Sequence, residues 1–211
     1  MMKAAIFDMD GTLLDSMTTW RSMNLSFIRT LGIEPTPRQE EDIMNLSGGL
    51  VIPYVKEQFG VDVAFDVLLE RSLKAIVPFY RAGAPLKPGA RDYLMRLRAR
   101  GVKTVVATAT PARDALIGLN QAGLTPHLDY IFSTEMLGLS KNSAAFYDEL
   151  CGMIGEEKRD CVMFEDALYA MRGARSAGLG VIGITDPTNL HDREAIRAVC
   201  DRVIDSYDEL P

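Results

Sequence analysis

The 211-residue sequence is poor in histidine and cysteine and has no long apolar run. With only His127 and His191, neither a histidine-rich zinc site nor a histidine-dependent hydrolase is expected. Cys151, Cys161 and Cys200 are odd in number and lack metal-type spacing, which predicts reduced, buried thiols in a cytoplasmic protein. Because no stretch has the length of a membrane span and no signal-peptide pattern opens the chain, no membrane association is expected.

Positive charge is also in short supply. Lysine and arginine total 23 against 29 acidic residues, giving a net charge of −6, and no basic block stands out. Nucleic-acid binding is therefore not expected. A P-loop and a Gly-x-Ser-x-Gly elbow are both missing, which removes two hydrolase classes. A Gly-x-Gly-x-x-Gly match at 178–183 lies before and within a predicted strand, so it does not indicate dinucleotide binding.

The most informative segment that is present lies near the start of the chain. The apolar run 4–7 is short enough for a buried parallel strand, and Asp8 and Asp10 follow it. Residues two apart point to the same side of a strand, so both carboxylates should face the crevice at its carboxyl end. Because like charges repel there, a divalent cation or a proton on one carboxylate is needed. Gly11 then permits a tight turn.

The rest of the sequence predicts alternating helices and strands. Strands are predicted at 102–107, 130–132, 161–164, 181–184 and 202–204, with helices near 89–100, 111–122, 142–153 and 167–176. This alternation is typical of an α/β, Rossmann-like, doubly wound parallel sheet. Residues 15–84 predict helices alone, at about 16–31, 37–45, 49–59 and 64–81. We therefore expect a core domain of residues 1–14 and 85–211 with an inserted helical cap domain of residues 15–84.

Two further predicted strands also end in polar residues. Thr108 ends one of them, where its hydroxyl and the backbone N–H of Ala109 can donate to a phosphoryl oxygen, while Thr110 before Pro111 predicts a helix N-cap. Another strand ends in the pair Glu165 and Asp166. These carboxylates suit Mg²⁺, which prefers hard oxygen ligands. They also suit the N-terminus of the following helix, and the two roles do not exclude each other.

The segment Asp8-Met9-Asp10-Gly11-Thr12 resembles the first motif of the haloacid dehalogenase superfamily of phosphotransferases. The order of elements looks like the branch with a helical cap, which includes phosphoglycolate phosphatase and β-phosphoglucomutase, and the resemblance covers nearly the whole chain. It implies that Asp8 is the nucleophile and Asp10 the general acid and base. It also implies that Thr108 binds the transferring phosphoryl group.

The same resemblance assigns a cation and a metal site. A lysine at the position of Lys141 crosses to the nucleophile in these relatives, although the usual proline after it is asparagine here. Mg²⁺ would be held by Asp8, the carbonyl of Asp10 and Asp166, with Glu165 as a direct or water-mediated ligand. The transferring group would contact Thr108, Ala109 and Lys141.

The predicted cap offers fewer clues to the substrate. Trp20 either overhangs the site as a substrate contact or packs with its helical neighbours, and both interpretations stay open. For Arg21 and Asn24, a solvated surface position is favoured over substrate binding. Relatives resembling β-phosphoglucomutase usually have histidine, lysine and arginine at the positions of Trp20, Asn45 and Gly49, which this chain lacks.

These observations predict a Mg²⁺-dependent phosphatase that hydrolyses a small phosphorylated metabolite through an aspartyl-phosphate intermediate. We expect a monomer or a weak homodimer. One alternative is a sugar-phosphate mutase, which the missing cap cations disfavour because a bisphosphate intermediate would escape. The other is a binding protein without catalysis, which would be expected to lack a charged site residue.

Overall fold

A six-stranded parallel sheet forms the centre of the molecule, and the prediction of an α/β fold is confirmed. The structure, a computed structural model, describes residues 2–46 and 48–211, without the side chains of Asn45, Gly48, Gly49 and Phe65. The strand order is β3-β2-β1-β4-β5-β6, so the connections reverse direction at β1. The strands are β1 Ala4–Phe7, β2 Lys103–Thr108, β3 Tyr130–Ser133, β4 Cys161–Glu165, β5 Gly180–Ile184 and β6 Arg202–Ile204.

The central strand β1 is buried on both faces because every residue in it is apolar. Side chains alternate along a strand, so Phe7 packs into the cluster on one face and Ile6 into the cluster on the other. Phe7 stacks on Phe164 of β4 with 4.5 Å between ring centroids. The helices of the core are α5 Ala90–Ala99, α6 Ala112–Gln121, α7 Thr134–Leu137, α8 Ala144–Ile154, α9 Leu168–Ala177 and α10 Arg193–Val199.

The predicted core helices lie within two residues of the observed ones, but short elements were missed. Helix α7 has four residues and α10 has seven, which is too little for a helical repeat to show in the sequence. The 3₁₀ segment Pro187–Asp192 was also not predicted. Among the described helices, none combines the length and apolar character needed to span a bilayer.

In the described residues, four helices lie between β1 and the first core helix, α5, as the sequence predicts. They are α1 Met17–Thr30, α2 Pro37–Asn45, α3 Gly48–Phe59 and α4 Phe65–Gly83. These helices enclose a core of their own, formed by Phe27, Ile28, Ile43, Val51, Val55 and Leu68. Apolar residues at helical spacing thus pack with one another instead of against the sheet.

Two antiparallel chain segments connect these helices to the sheet. Leu14 and Leu86 form an isolated antiparallel bridge. The backbone N–H of Asp15 donates to the carbonyl of Pro85 at 2.8 Å, and that of Lys87 donates to the carbonyl of Leu13 at 3.0 Å. Because both segments start beside the carboxyl end of β1, the four helices stand at that edge of the sheet.

The prediction of buried thiols is confirmed for two of the three cysteines. Cys151 and Cys161 are free and buried, with their sulfur atoms 3.7 Å apart. Cys200 is also free, but it is only partly buried, contrary to the prediction. It follows helix α10, one of the short elements that the sequence did not reveal.

Candidate active site

Three carboxylates meet at the carboxyl ends of β1 and β4. The two strands pair in a register that sets Phe7 opposite Phe164, so Asp8 lies beside Glu165 and Asp166. The backbone N–H of Asp8 donates to the carbonyl of Phe164 at 2.9 Å. One oxygen from each carboxylate lies within 4.8 Å of the others, and all three residues are buried.

Lys141 completes this cluster from the loop between α7 and α8. Its Nζ lies 2.5 Å from Oδ1 of Asp8 and 2.7 Å from Oε2 of Glu165, and the residue is 2 % exposed. Helix α9 lets this loop approach at Gly173, where a Cβ atom would overlap the carbonyl oxygen of Lys141. The lysine is therefore held against the carboxylates, as the family resemblance implied, and not on the surface.

The cluster carries more negative than positive charge. With three carboxylates and one ammonium ionised, the net charge is 3 × (−1) + 1 = −2. Burial and the neighbouring charge of Glu165 raise the pKa of Asp8 to about 8, and burial raises the pKa of Asp166 well above its usual range. Burial alone would lower the pKa of Lys141, but Asp8 and Glu165 outweigh it and raise that pKa. Buried oxygen donors with a net charge of −2 fit a divalent cation.

The two oxygens of Glu165 have different partners, and its metal contact stays a prediction. Its Oε1 accepts from the backbone N–H of Asp166 at 3.2 Å and of Ala167 at 3.1 Å, at the start of α9. Its Oε2 faces Lys141. One oxygen thus supports the turn into the helix, while the other belongs to the charged cluster.

Asp166 is positioned by the turn of the first motif. Its Oδ1 accepts from the hydroxyl of Thr12 at 3.3 Å. Gly11 has φ of 84°, and a Cβ atom there would overlap the carboxylate of Asp166. Glycine is required at this position both by its backbone conformation and by this close approach.

Asp10 lies outside the carboxylate cluster and has a separate set of partners. Its Oδ1 accepts from the hydroxyls of Ser16 and Tyr80, each at 2.6 Å. Its Oδ2 accepts from the hydroxyl of Thr110 at 2.9 Å. These three donors come from three parts of the chain and fix the carboxylate in one orientation. The expected metal contact of Asp10 was through its carbonyl and stays a prediction.

Two of these donors lie next to helices without making a capping hydrogen bond, and for Thr110 this corrects the prediction. Ser16 precedes α1, but its hydroxyl makes no cap bond and donates to Asp10 instead. Helix α6 begins after Pro111, so Thr110 is not its N-cap. Both hydroxyls donate their hydrogen to the carboxylate of Asp10, which is a charged and therefore strong acceptor.

Thr108 lies at the end of β2 and is buried. Its hydroxyl oxygen accepts from the backbone N–H of Thr110 at 3.0 Å, which leaves its own hydrogen available for donation. Ala109, the next residue, is exposed at the rim. The sequence-based assignment of these two residues to a phosphoryl site remains a prediction.

Two polar residues of α1 are buried, contrary to the prediction. Arg21 is 6 % exposed and Asn24 is 5 % exposed, although a solvated position was expected. Trp20 is partly buried against the core cluster, and its Nε1 is buried without a hydrogen-bond partner in the described part of the chain. Helix α1 packs on α2, on α4 and on the 3₁₀ segment Pro187–Asp192, which covers these side chains.

The comparison with mutase positions can be followed only in part. Trp20 packs against the core cluster, and its expected substrate contact stays a prediction. The side chains of Asn45 and Gly49 lie outside the described residues.

Two groups of residues beside the site were not predicted from the sequence: Tyr80 at Asp10, and Lys87 with Asn189 at the 3₁₀ segment. Tyr80 comes from α4, and no local pattern distinguishes it from a packing residue. Lys87 is buried, with its Nζ 2.6 Å from Oδ2 of Asp186 and 3.4 Å from Oδ1 of Asp15. Asn189 donates to the carbonyl of Asp166 at 2.8 Å, which ties the 3₁₀ segment to the site. Both groups depend on contacts between distant parts of the chain.

The family is decided by comparison with known proteins. The model of the haloacid dehalogenase-like hydrolases matches residues 2–178. The chain belongs to this family. The resemblance seen in the first motif is thereby confirmed, and the protein is an enzyme of the hydrolase class.

Curated relatives of this hydrolase align over most of their length. Hexitol phosphatase B of Escherichia coli is 27 % identical over 198 residues, covering 92 % of this chain and 89 % of that protein. Phosphoglycolate phosphatase of Chromobacterium violaceum is 28 % identical over 188 residues, covering 86 % of this chain and 84 % of that protein. The crystal structure of CbbY from Rhodobacter sphaeroides in complex with phosphate superposes with a TM-score of 0.82 at 22 % identity, covering 100 % of this chain and 96 % of that chain. That superposition supports the fold.

Proposed function

We propose that this hydrolase is a Mg²⁺-dependent phosphatase acting on a small phosphate monoester through a phosphorylated Asp8. The observation that carries the proposal is the buried cluster of three carboxylates with Lys141 inserted between two of them. Asp8 and Asp166 would hold the cation, together with the carbonyl of Asp10 and with Glu165. When bound, the cation would offset negative charge on the phosphoryl oxygens.

In the first step a carboxylate oxygen of Asp8 attacks phosphorus, and the bond from phosphorus to the ester oxygen breaks. Asp10 gives its proton to the departing alkoxide. In the second step Asp10 takes a proton from water as that water attacks phosphorus, which releases phosphate and restores Asp8. The three hydroxyls around Asp10 suit this exchange because a hydroxyl can donate or accept, so one can turn when Asp10 is protonated.

The remaining groups would stabilise the charge of the transferring phosphoryl group. Lys141 contacts Asp8, so its ammonium group would lie next to the phosphoryl group once that group is bonded to Asp8. Thr108 has a hydroxyl hydrogen to donate, and the backbone N–H groups of Met9, Asp10 and Ala109 can add to it. A well-placed donor of this kind contributes about 3–4 kcal/mol to transition-state stabilisation.

We assign residues 1–14 and 85–211 to the catalytic core and residues 15–84 to a cap that closes over the substrate. The separate apolar core of the four inserted helices and the two antiparallel connecting segments support this division. Closure would exclude water while substrate binds. Trp20, which lies where α1 meets the core, is the proposed cap contact of the substrate.

A monoester phosphatase is favoured over a mutase on the residue types at the cap positions. None of Trp20, Asn45 and Gly49 is a cation, whereas relatives resembling β-phosphoglucomutase usually have histidine, lysine and arginine at these three positions. Relatives named hexitol phosphatase and phosphoglycolate phosphatase support a phosphorylated sugar derivative or a small phosphorylated acid as substrate. A cytoplasmic monomer or weak homodimer completes the proposal.

Release of phosphate from p-nitrophenyl phosphate with and without Mg²⁺ tests the proposal. We expect turnover that depends on Mg²⁺ and that Asp8→Asn abolishes, because an amide oxygen is a poor nucleophile and a weaker metal ligand. Asp92→Asn, an exposed change on α5, is the matched control and should keep full activity. Turnover by Asp8→Asn would reject covalent catalysis, and no release from any small phosphoester would favour a binding protein.

A further inference from the structure

Arg21 in helix α1 carries a buried positive charge that no part of the described chain neutralises by contact. The residue is 6 % exposed, and its Nε and Nη1 are buried without a hydrogen-bond partner within residues 2–46 and 48–211. A buried guanidinium without a partner is costly, because the charge loses its hydration and gains nothing in exchange. Such a group beside an active site suits a ligand that brings the missing acceptors.

The side chain lies toward the catalytic end of the sheet. Ser16, at the start of α1, donates to Asp10, and Arg21 follows five residues later, roughly 7–8 Å along the helix axis. Helix α1 packs on the 3₁₀ segment Pro187–Asp192, which Asn189 ties to the backbone of Asp166. Burial lowers the pKa of Arg21. The negative charges of Asp166, Asp186 and Asp192 oppose that shift, so the guanidinium lies close enough to these carboxylates for their charge to act on it.

Two of these three carboxylates are engaged with other groups, and the third, Asp192, makes no ion pair with Arg21 in the described part of the chain. Asp186 uses Oδ2 for Lys87 at 2.6 Å and Oδ1 for the backbone and the hydroxyl of Thr188 at 2.9 and 2.7 Å. Asp166 accepts from Thr12 and belongs to the carboxylate cluster. The planar donors of Arg21 are thus left for a planar or tetrahedral anion, which a guanidinium binds with two parallel hydrogen bonds.

We propose that Arg21 binds a second anionic group of the substrate, so that the preferred substrates are phosphate monoesters that also carry a carboxylate or another phosphate. This inference rests on the proposed phosphatase function and names the substrate class of the same site. Arg21 would contact the part of the substrate that leaves with the alkoxide. It would also offset the repulsion between that anion and the neighbouring acidic residues.

Three esters with the same six-carbon skeleton test the proposal. Glucitol 6-phosphate has a neutral far end, gluconate 6-phosphate ends in a carboxylate, and glucitol 1,6-bisphosphate ends in a second phosphate. For the unmodified enzyme with Mg²⁺, we expect kcat/KM to be about 10- to 100-fold higher for at least one anionic ester than for the neutral one. The two anionic esters distinguish a carboxylate from a phosphate as the bound group.

Arg21→Gln should remove this preference. We expect it to lower kcat/KM for the favoured anionic ester by about 10- to 100-fold and to change the value for glucitol 6-phosphate by less than about threefold. Arg21→Lys keeps the charge without the planar pair of donors and should fall between the two. An equal loss on neutral and anionic esters would indicate a structural role and overturn the proposal.

The comparison of esters with the unmodified enzyme stands even where Arg21→Gln does not fold. Equal kcat/KM for all three esters, or a preference for the neutral one, overturns the assignment of Arg21 while leaving the phosphatase function intact. Failure of the proposed function looks different. In that case no ester, including p-nitrophenyl phosphate, is hydrolysed in the presence of Mg²⁺, and the role of Arg21 fails with it.

Discussion

At the scale of single residues, the two aspartates of the first motif have different environments. Asp8 lies with two other carboxylates and an ammonium in a buried cluster, where its charge is opposed by neighbours of the same sign. Asp10 lies among three neutral hydroxyl donors. Asp8 thus lies among the proposed metal ligands, while Asp10 is held by groups that can donate or accept a hydrogen bond. This difference supports the proposed roles of Asp8 as nucleophile and of Asp10 as general acid and base.

The change Tyr80→Phe tests whether the hydroxyl of Tyr80 helps to orient the carboxylate of Asp10. Loss of its hydroxyl removes one of two donors to Oδ1 of Asp10, and hydrogen bonds to charged groups contribute about 1.5–3 kcal/mol. We expect kcat on p-nitrophenyl phosphate to fall about tenfold or more, with KM changed less than about twofold. Tyr54→Phe is the control, because Tyr54 also donates to an aspartate, Asp42, but on the exposed surface of the inserted helices. An equal effect of both changes would contradict a role for Tyr80.

At the scale of elements, glycines and one linker lysine set the distances on which the site depends. Helix α9 can approach the loop of Lys141 because residue 173 has no side chain. The segment after α4 carries Lys87 into a buried pair with Asp186, which fixes the 3₁₀ segment beside the site. Neither Gly173 nor Lys87 has a proposed catalytic role, but each positions a segment that carries residues of the site.

Gly173→Ala should displace the loop of Lys141. Its methyl group would overlap the backbone carbonyl of that lysine, so the loop must shift, at a cost of about 1–3 kcal/mol in the free energy of unfolding. We expect phosphatase activity to fall with it. Gly152→Ala in α8 is the matched control, since nothing lies near its added Cβ and alanine favours a helix interior by about 0.5–1 kcal/mol. Urea unfolding and activity assays of both variants decide this, and an active Gly173→Ala enzyme would refute the packing argument.

Lys87→Met should destabilise the fold. It leaves Asp186 buried without its cation, and breaking a buried pair costs about 3–5 kcal/mol. Lys74→Met breaks an exposed pair with Glu70 and should change the free energy of unfolding by less than about 0.5 kcal/mol. Chemical denaturation measures both values. Equal small losses would show that the Lys87 pair is solvated.

At the scale of the whole molecule, the negative charge of the site opposes folding in the absence of a cation. The folded-state pKa of Asp8 is raised from 3.8 to about 8, chiefly by burial and then by Glu165. Between these values the folded state binds a proton that the unfolded state has released. Stability without metal therefore decreases as the pH rises through this window, and a cation that replaces the proton reverses the loss.

Stabilisation by Mg²⁺ should accordingly increase with pH. We expect a larger rise in Tm on adding Mg²⁺ at about pH 8 than at about pH 5, because at the lower pH protons compete for the same oxygens. Scanning calorimetry with Mg²⁺ and with a chelator measures the difference. Asp8→Asn lacks the titrating group and should show a smaller pH dependence. A shift in Tm that is independent of pH would contradict the site.

The parallel sheet, its six strands, the helical insertion and the family could all be predicted from local patterns in the sequence. These patterns are the apolar runs, the helical spacing of apolar residues and the segment Asp8–Thr12. The surroundings of these residues depend on tertiary contacts, which no local pattern shows. Burial of Arg21, the hydroxyl of Tyr80 on Asp10 and the pair of Lys87 with Asp186 all join segments far apart in the chain. A polar residue has the same local pattern whether it faces water or a distant partner, so packing alone distinguishes the two.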